Sequence, residues 1–134
     1  MLQLYYITSP LTDLTNLKRL DLGENTIWDI SALSKMNKLE ELILITNNIS
    51  NINVLSGLKS IKKLYLGNNQ INDITPLSEL TELNELYIHD NKITDVSALA
   101  NLKNLKILQL NDNPLTEDQI TNLQKALPNC EIQF

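Results

Sequence analysis

Apolar residues return at the same phase every 22 positions along most of the chain. Leu17, Leu39, Ile61, Leu83 and Leu105 share one phase, and Leu20, Leu42, Leu64, Leu86 and Leu108 share the next. Leu22, Leu44, Leu66, Ile88 and Leu110 follow two residues later. A polar column then interrupts the apolar ones: Asn25, Asn47, Asn69, Asn91 and Asn113, without exception. Ile27, Ile49, Ile71, Ile93 and Leu115 come next, then Ile30, Ile52, Ile74 and Val96, then Leu33, Leu55, Leu77 and Leu99. The unit reads LxxLxLxxNxIxDIxxLxxLxx. Self-similarity at a fixed period of about 20–50 residues marks a chain that stacks supersecondary units and buries a core between them.

The columns predict the elements. LxL is a short strand whose two leucines point inward while the residue between them points out. Stacked at this period, the strands form one parallel sheet, so the fold class is α/β: a solenoid with a parallel concave sheet. The asparagine falls where the chain leaves the strand, and its amide has the donors and acceptor to satisfy backbone groups at the bend. The column Asp29, Asn51, Asp73, Asp95 is placed to accept N–H groups two or three residues on and so to start a short helical turn. Pro76 fits the beginning of such a turn, where a missing N–H costs nothing. The return through Leu33/Met36, Leu55/Leu58, Leu77/Leu80 and Leu99/Leu102 has no room for a long helix, so 3₁₀ or irregular backbone is expected on the convex side.

The ends break the pattern. Residues 1–16 read as a degraded half repeat, in which Leu4–Ile7 imitate Ile27–Ile30 and 7–14 imitate 74–80 with one residue extra. Residues 17–113 form the repeats, and 114–134 form a C-terminal helix–strand cap. In that cap, Thr116 and Gln119 suggest a capping box. A helix to about Ala126 would turn Ile120, Leu123 and Leu127 inward. Pro128 would stop it, and Glu131–Phe134 would add a last strand with Ile132 and Phe134 inward. Leu2, Leu4, Tyr5, Tyr6 and Ile7 lie near the first open edge. There they either fold over it or pair with another copy; the former makes the chain a monomer.

Charge narrows the partners. With 11 Lys+Arg against 16 Asp+Glu the net charge is −5, the wrong sign for a nucleic-acid backbone or an anionic membrane surface. No apolar run reaches the ~20 residues of a bilayer span, and no basic, apolar leader follows Met1. The single cysteine, Cys130, excludes an internal disulfide and reads as a half-buried structural thiol, because its neighbours are not cationic.

Candidate chemistry concentrates in LYIHDNKITDVSAL at 86–99, which holds the only histidine. The columns dissolve most of it: Asn91 belongs to the polar ladder and Asp95 to the turn-starting column. His89 and Asp90 remain free to act on a partner. Catalysis would need a base beside a nucleophile, and no Ser, Cys or Lys shares that face nearby, so no enzyme is expected. Asp90 and Asp112 offer too few hard ligands for a metal, and no cofactor motif is present. The exposed central column reads Asp21, Ile43, Tyr65, Tyr87, Gln109, with Ile45 and His89 beside it. Exposed tyrosine and apolar side chains on neighbouring strands mark an interface, or else stabilise the sheet by cross-strand contact. The preceding column, Arg19, Glu41, Lys63, Glu85, Ile107, alternates in sign like a ladder of ion pairs. Glu24, Asp90 and Asp112 make an acidic outer column that suits a partner with some basic surface. Trp28, whose column holds Ser50, Asn72 and Thr94, should be exposed at the loop edge or packed on Tyr5 or Tyr6. Asn48-Ile49-Ser50 spells a glycosylation sequon.

Segments 25–36 (NTIWDISALSKM), 69–80 (NQINDITPLSEL) and 91–102 (NKITDVSALANL) resemble the 22-residue leucine-rich repeats of bacterial internalins. The resemblance implies a curved leucine-rich repeat solenoid that binds a protein through its concave face, on a bacterial surface or secreted, in some members against a host receptor. Residues 1–16 depart from the helical cap usual there. A chain complete as given would instead be cytosolic; the alternative function is a structural repeat fragment of a larger surface protein, with no partner of its own. On this reading Glu41, Ile43, Ile45, Lys63, Tyr65, Glu85, Tyr87, His89 and Asp90 face the partner.

Overall fold

The computed structural model describes residues 11–134. Six three-residue strands, β1 (Arg19–Asp21), β2 (Glu41–Ile43), β3 (Lys63–Tyr65), β4 (Glu85–Tyr87), β5 (Ile107–Gln109) and β6 (Glu131–Gln133), form one parallel sheet in chain order. The register of the first five is the 22-residue period itself: Leu20, Leu42, Leu64, Leu86 and Leu108 lie side by side. Leu42, Leu64, Leu86 and Leu108 are wholly buried, while Leu20, on the outermost described strand, is only half-buried. The core is a continuous column of leucine and isoleucine from Leu22 to Leu127. Each such side chain taken from water contributes about 1.5–3 kcal/mol, and stacking is what removes it.

The convex side is 3₁₀ backbone at Ser31–Lys35, Asn53–Gly57, Thr75–Glu79 and Ser97–Leu99. Each turn opens the same way. The side chains of Asp29, Asn51, Asp73 and Asp95 accept the N–H two residues on, from Ser31, Asn53, Thr75 and Ser97, at 2.8–2.9 Å. The 3₁₀ turn then takes its own N–H to the carbonyl three back, as from Leu77 to Ile74 (3.0 Å). Leu14 N–H to Leu11 O and Leu17 N–H to Leu14 O repeat that pattern ahead of the first full repeat. The remainder of the half repeat, and the expected contacts of Leu2, Leu4, Tyr5, Tyr6 and Ile7, lie outside the described residues.

The asparagine column holds strand and turn together. Asn69 donates from Nδ2 to Leu66 O (3.1 Å) and Gly67 O (3.3 Å) in its own repeat and to Leu44 O (3.0 Å) in the one before. Its Oδ1 accepts the Ile49 N–H at 3.0 Å. Asn47 and Asn91 do the same, and all three are buried. Among the described residues Asn25 reaches only its own repeat, at Leu22 O and Gly23 O, and it is half-buried.

The C-terminal cap departs from expectation in two details. Helix α1 (Glu117–Ala126) begins at Thr116, whose side chain accepts the Gln119 N–H. The capping box is not reciprocated: Gln119 Oε1 instead accepts the Val96 N–H at 3.1 Å, tying the cap to the last 3₁₀ turn. Leu123 and Leu127 are buried and Ile120 half-buried. β6 pairs with β5 and Ile132 packs on the core, but Phe134 lies beyond the strand and is 37% exposed. The Cys130 thiol is half-buried, and burial, then the Glu131 carboxylate, pushes its pKa up.

Two predictions follow from the backbone bonds. Asn69→Ala leaves the buried Ile49 N–H unsatisfied and takes one donor each from the carbonyls of Leu44, Leu66 and Gly67, which keep a second; it should cost about 3 kcal/mol in urea unfolding, against about 1 kcal/mol for Asn25→Ala at the half-buried end. Hydrogen bonds first from the backbone N–H and then from the side chain of Ser31, Thr75 and Ser97 hold Asp29, Asp73 and Asp95 below the usual carboxylate range. A depressed folded pKa contributes stability that is complete above the ordinary value and fades as pH falls below about 4. Replacing all three by Asn, which Asn51 shows can make the same turn, should reduce the loss of stability between about pH 5 and pH 3. Equal losses in the two proteins would sink this account.

Candidate functional site

The sheet brings its central exposed residues into one line. Asp21, Ile43, Tyr65, Tyr87 and Gln109 are partners in successive pairings, and so are Arg19, Glu41, Lys63, Glu85 and Ile107. Tyr65 and Tyr87 stack with ring centroids 4.6 Å apart and planes 3° from parallel. Such a pair is worth about 0.5–1.5 kcal/mol beyond its buried area. Both rings are half-buried, and burial, before the nearby Glu85 carboxylate, raises both hydroxyl pKa values.

The charged column is two separate pairs instead of a continuous ladder. Arg19 Nε meets Glu41 Oε2 at 3.3 Å, with Asp21 at 3.7 Å from its other end, and Lys63 Nζ meets Glu85 Oε1 at 2.9 Å. Glu85 also accepts the Tyr87 hydroxyl on Oε2 (3.2 Å). One carboxylate thereby joins the charged line to the aromatic one.

Beyond the strands the chain turns through a left-handed residue in every repeat: Glu24, Thr46, Asn68, Asp90 and Asp112, at φ 51–59°. Asp90 is therefore an exposed corner of the backbone turn as well as an acid, and the acidic outer column follows that corner. Asn and Asp tolerate this region; Thr46, β-branched, does so at a cost. One residue earlier, large and small side chains interlock. An added Cβ on Gly67 would lie 2.5 Å from Nε2 and 2.9 Å from Nδ1 of His89, so the imidazole lies across Gly67. Ile45 leans on Gly23 in the same way, at 3.1 Å from such a Cβ. His89 Nδ1 is buried there with no hydrogen-bond partner. Hence Ile45 and His89 extend the tyrosine line as a half-buried shoulder.

Sequence patterning did not reveal this interlock, because it shows only when Gly23, Ile45, Gly67 and His89 are read as neighbours across rungs. A second feature also escaped it. The flank that leads into the strands carries Lys18, Lys38, Lys59 and Lys62, with Glu40 bridging Lys18 (3.1 Å) and Lys62 (2.9 Å). Among the described residues no three His, Cys, Asp or Glu side chains gather to hold a metal, and no helix is long and apolar enough to cross a membrane.

Comparison with known proteins agrees with this geometry. The family model "Leucine Rich repeats (2 copies)" matches residues 37–79 and 81–125, well over half of the chain. Among solved structures, internalin C2 of Listeria monocytogenes superposes with a TM-score of 0.86 at 38% identity, over 92% of this chain and 54% of that one. An internalin (inlF) of the same species gives 0.84 at 38% identity, over 94% and 36%. A leucine-rich repeat protein of Leptospira interrogans shares the fold, with a TM-score of 0.70 at 24% identity over 92% and 38%. The chain thus spans about half or less of the structures it matches. No curated protein sequence matches it significantly.

The interlock predicts a coupled pair of substitutions. Gly67→Ala forces the His89 ring away and should cost about 1–2 kcal/mol of stability. In a His89→Ala background the same change should cost close to nothing, a coupling of order 1 kcal/mol by double-mutant cycle. Additive effects would show that the imidazole does not rest on Gly67.

Proposed function

The chain belongs to the leucine-rich repeat family as an internalin-type member, and from that premise we propose that it is a non-catalytic module holding a protein partner on its concave face. The fold as a class suggests protein interaction. The observation that carries the finer reading is the stacked pair Tyr65–Tyr87, set between Ile43 and the Ile45/His89 shoulder. Aromatic anchors at the centre of a face, ringed by polar groups, are where binding energy concentrates. Arg19 and Lys63 are already paired with this chain's own acids, while Asp90 and Asp112 stand on exposed turn corners. The partner that fits presents an apolar or aromatic projection to the tyrosines with cationic groups toward that corner column. Lys63, Glu85 and Glu41 frame the contact and select among partners by charge. The Listeria relatives suggest a bacterial origin, and the proposal places the module at the cell surface or outside the cell.

A second reading has one observation behind it: the chain spans only 54% and 36% of those internalin structures. It would then be a structural length of repeat within a larger surface protein, its tyrosines serving the sheet. One double variant separates the two. Tyr65→Ala/Tyr87→Ala, presented beside the parent chain to the same host-cell surface proteins, should lose about 30-fold or more in affinity for the captured protein while unfolding within a few degrees of the parent. Undiminished capture, or a fold that collapses with the tyrosines, favours the structural role.

A further inference from the structure

We propose that the groove beside Trp28, where the chain runs from β1 and β2 into the first two 3₁₀ turns, binds a neutral oligosaccharide. It is a site separate from the concave sheet. Trp28 is 53% exposed, the most exposed large apolar side chain among the described residues. It walls a groove of about 440 Å³ with Asp29, Ser31, Ser50, Asn51, Asn53 and Val54 among its lining. A second groove of about 360 Å³ continues along the next rung from Asn51 and Asn53 to Asn72 and Asp73. Together they make a track that crosses successive repeats.

The internal repeat shows which of these residues the fold requires. Position 28 is Ser50, Asn72 or Thr94 in the other repeats, and only here is it tryptophan. Position 51 is aspartate in the other three, and position 53 is serine or threonine. All three departures meet in one groove. Asn51 still starts its turn through Oδ1, accepting the Asn53 N–H at 2.9 Å, so the change to an amide is not needed for the turn. What it adds is a pair of N–H donors without charge. Asn53 adds another amide.

The chemistry selects the ligand. A flat indole face offers a large, rigid, amphipathic surface on which the C–H face of a pyranose can lie. The amides and hydroxyls of Ser31, Ser50, Asn51 and Asn53 alternate donors and acceptors, as sugar hydroxyls do. No cation lines either groove, which disfavours phosphate, sulfate or carboxylate ligands. Asp29 and Asp73 also line the track, each already accepting the N–H that starts its turn at 2.9 Å, and asparagine at 51 leaves the middle of the track between them uncharged.

Trp28 is the chain's only tryptophan, so its fluorescence reports the site directly. Chitotetraose and maltotetraose are titrated into the whole chain, and at least one should shift or quench the emission saturably. The Asn51→Asp/Asn53→Ser variant restores what the other repeats carry, so it keeps the fold, and it should weaken binding about tenfold. Trp28→Ser, matching Ser50, should abolish the heat of binding in calorimetry while circular dichroism shows the repeats still folded. A response to neither sugar up to about 10 mM, or one that survives both variants, overturns the proposal.

Discussion

Everything in this molecule depends on the asparagine amide at the exit of each strand. A chain that must turn sharply off a buried strand every 22 residues exposes carbonyls and an N–H to a dry interior, where an unmet polar group costs about 1–3 kcal/mol. Asn69 meets three carbonyls and one N–H at once, and one of those carbonyls belongs to the repeat before. No other side chain of this size has both donors and an acceptor in one plane. The bond across repeats also sets the spacing. With the amides in register the leucines must be in register, and with the leucines in register the outward residues form continuous columns. The concave line of tyrosines is a consequence of the amides behind it.

The same logic explains what could be read from residues alone. While the terminal helix was read from its own start at Thr116, its inward apolar residues and Pro128, the sheet, its register and the 3₁₀ side each follow from a column whose members occur in every repeat. Their period is the signal. The turn-starting aspartates were legible for the same reason, and of the two N–H groups within their reach they take the nearer, two residues on. Side-chain contacts that join neighbouring rungs were not. Gln119 sits at the position of a capping box, but the carbonyl oxygen of its side chain finds the Val96 N–H, because the cap must close onto the last turn. The alternating signs at 19, 41, 63 and 85 suggested a ladder, yet Lys63 pairs forward to Glu85 and Arg19 pairs to Glu41, leaving two closed pairs. Flexible exposed side chains choose one partner, and periodicity does not say which.

The left-handed column illustrates the limit in another way. Glu24, Thr46, Asn68, Asp90 and Asp112 have little in common as residues, and nothing in their identities announces a shared φ near +55°. The backbone imposes it, because the chain must reverse its course between a strand and an asparagine anchored three residues from the strand's last core leucine. Side chains there are chosen under two demands, tolerance of the conformation and exposure at the rim. Acids meet both. The acidity of that rim is thus partly a backbone requirement, and its use toward a partner is built on residues the turn already favours.

A repeat protein carries its own control: each position is sampled several times in one chain, so what the fold demands can be separated from what one rung adds. Leucine, asparagine and a short turn-starting side chain, aspartate or asparagine, are demanded. Tyrosine at 65 and 87 is not, because Asp21 and Gln109 hold the same place in the sheet. Nor is glycine at 67, because Ile45 holds that place one rung earlier. Departures scattered at random would be drift. Here they cluster: Gly67 admits the His89 ring beside the stacked tyrosines, and Trp28, Asn51 and Asn53 line a single groove. Clustering of residues the fold does not require, on two surfaces it leaves exposed, is the physical ground for reading both as places where this solenoid meets other molecules.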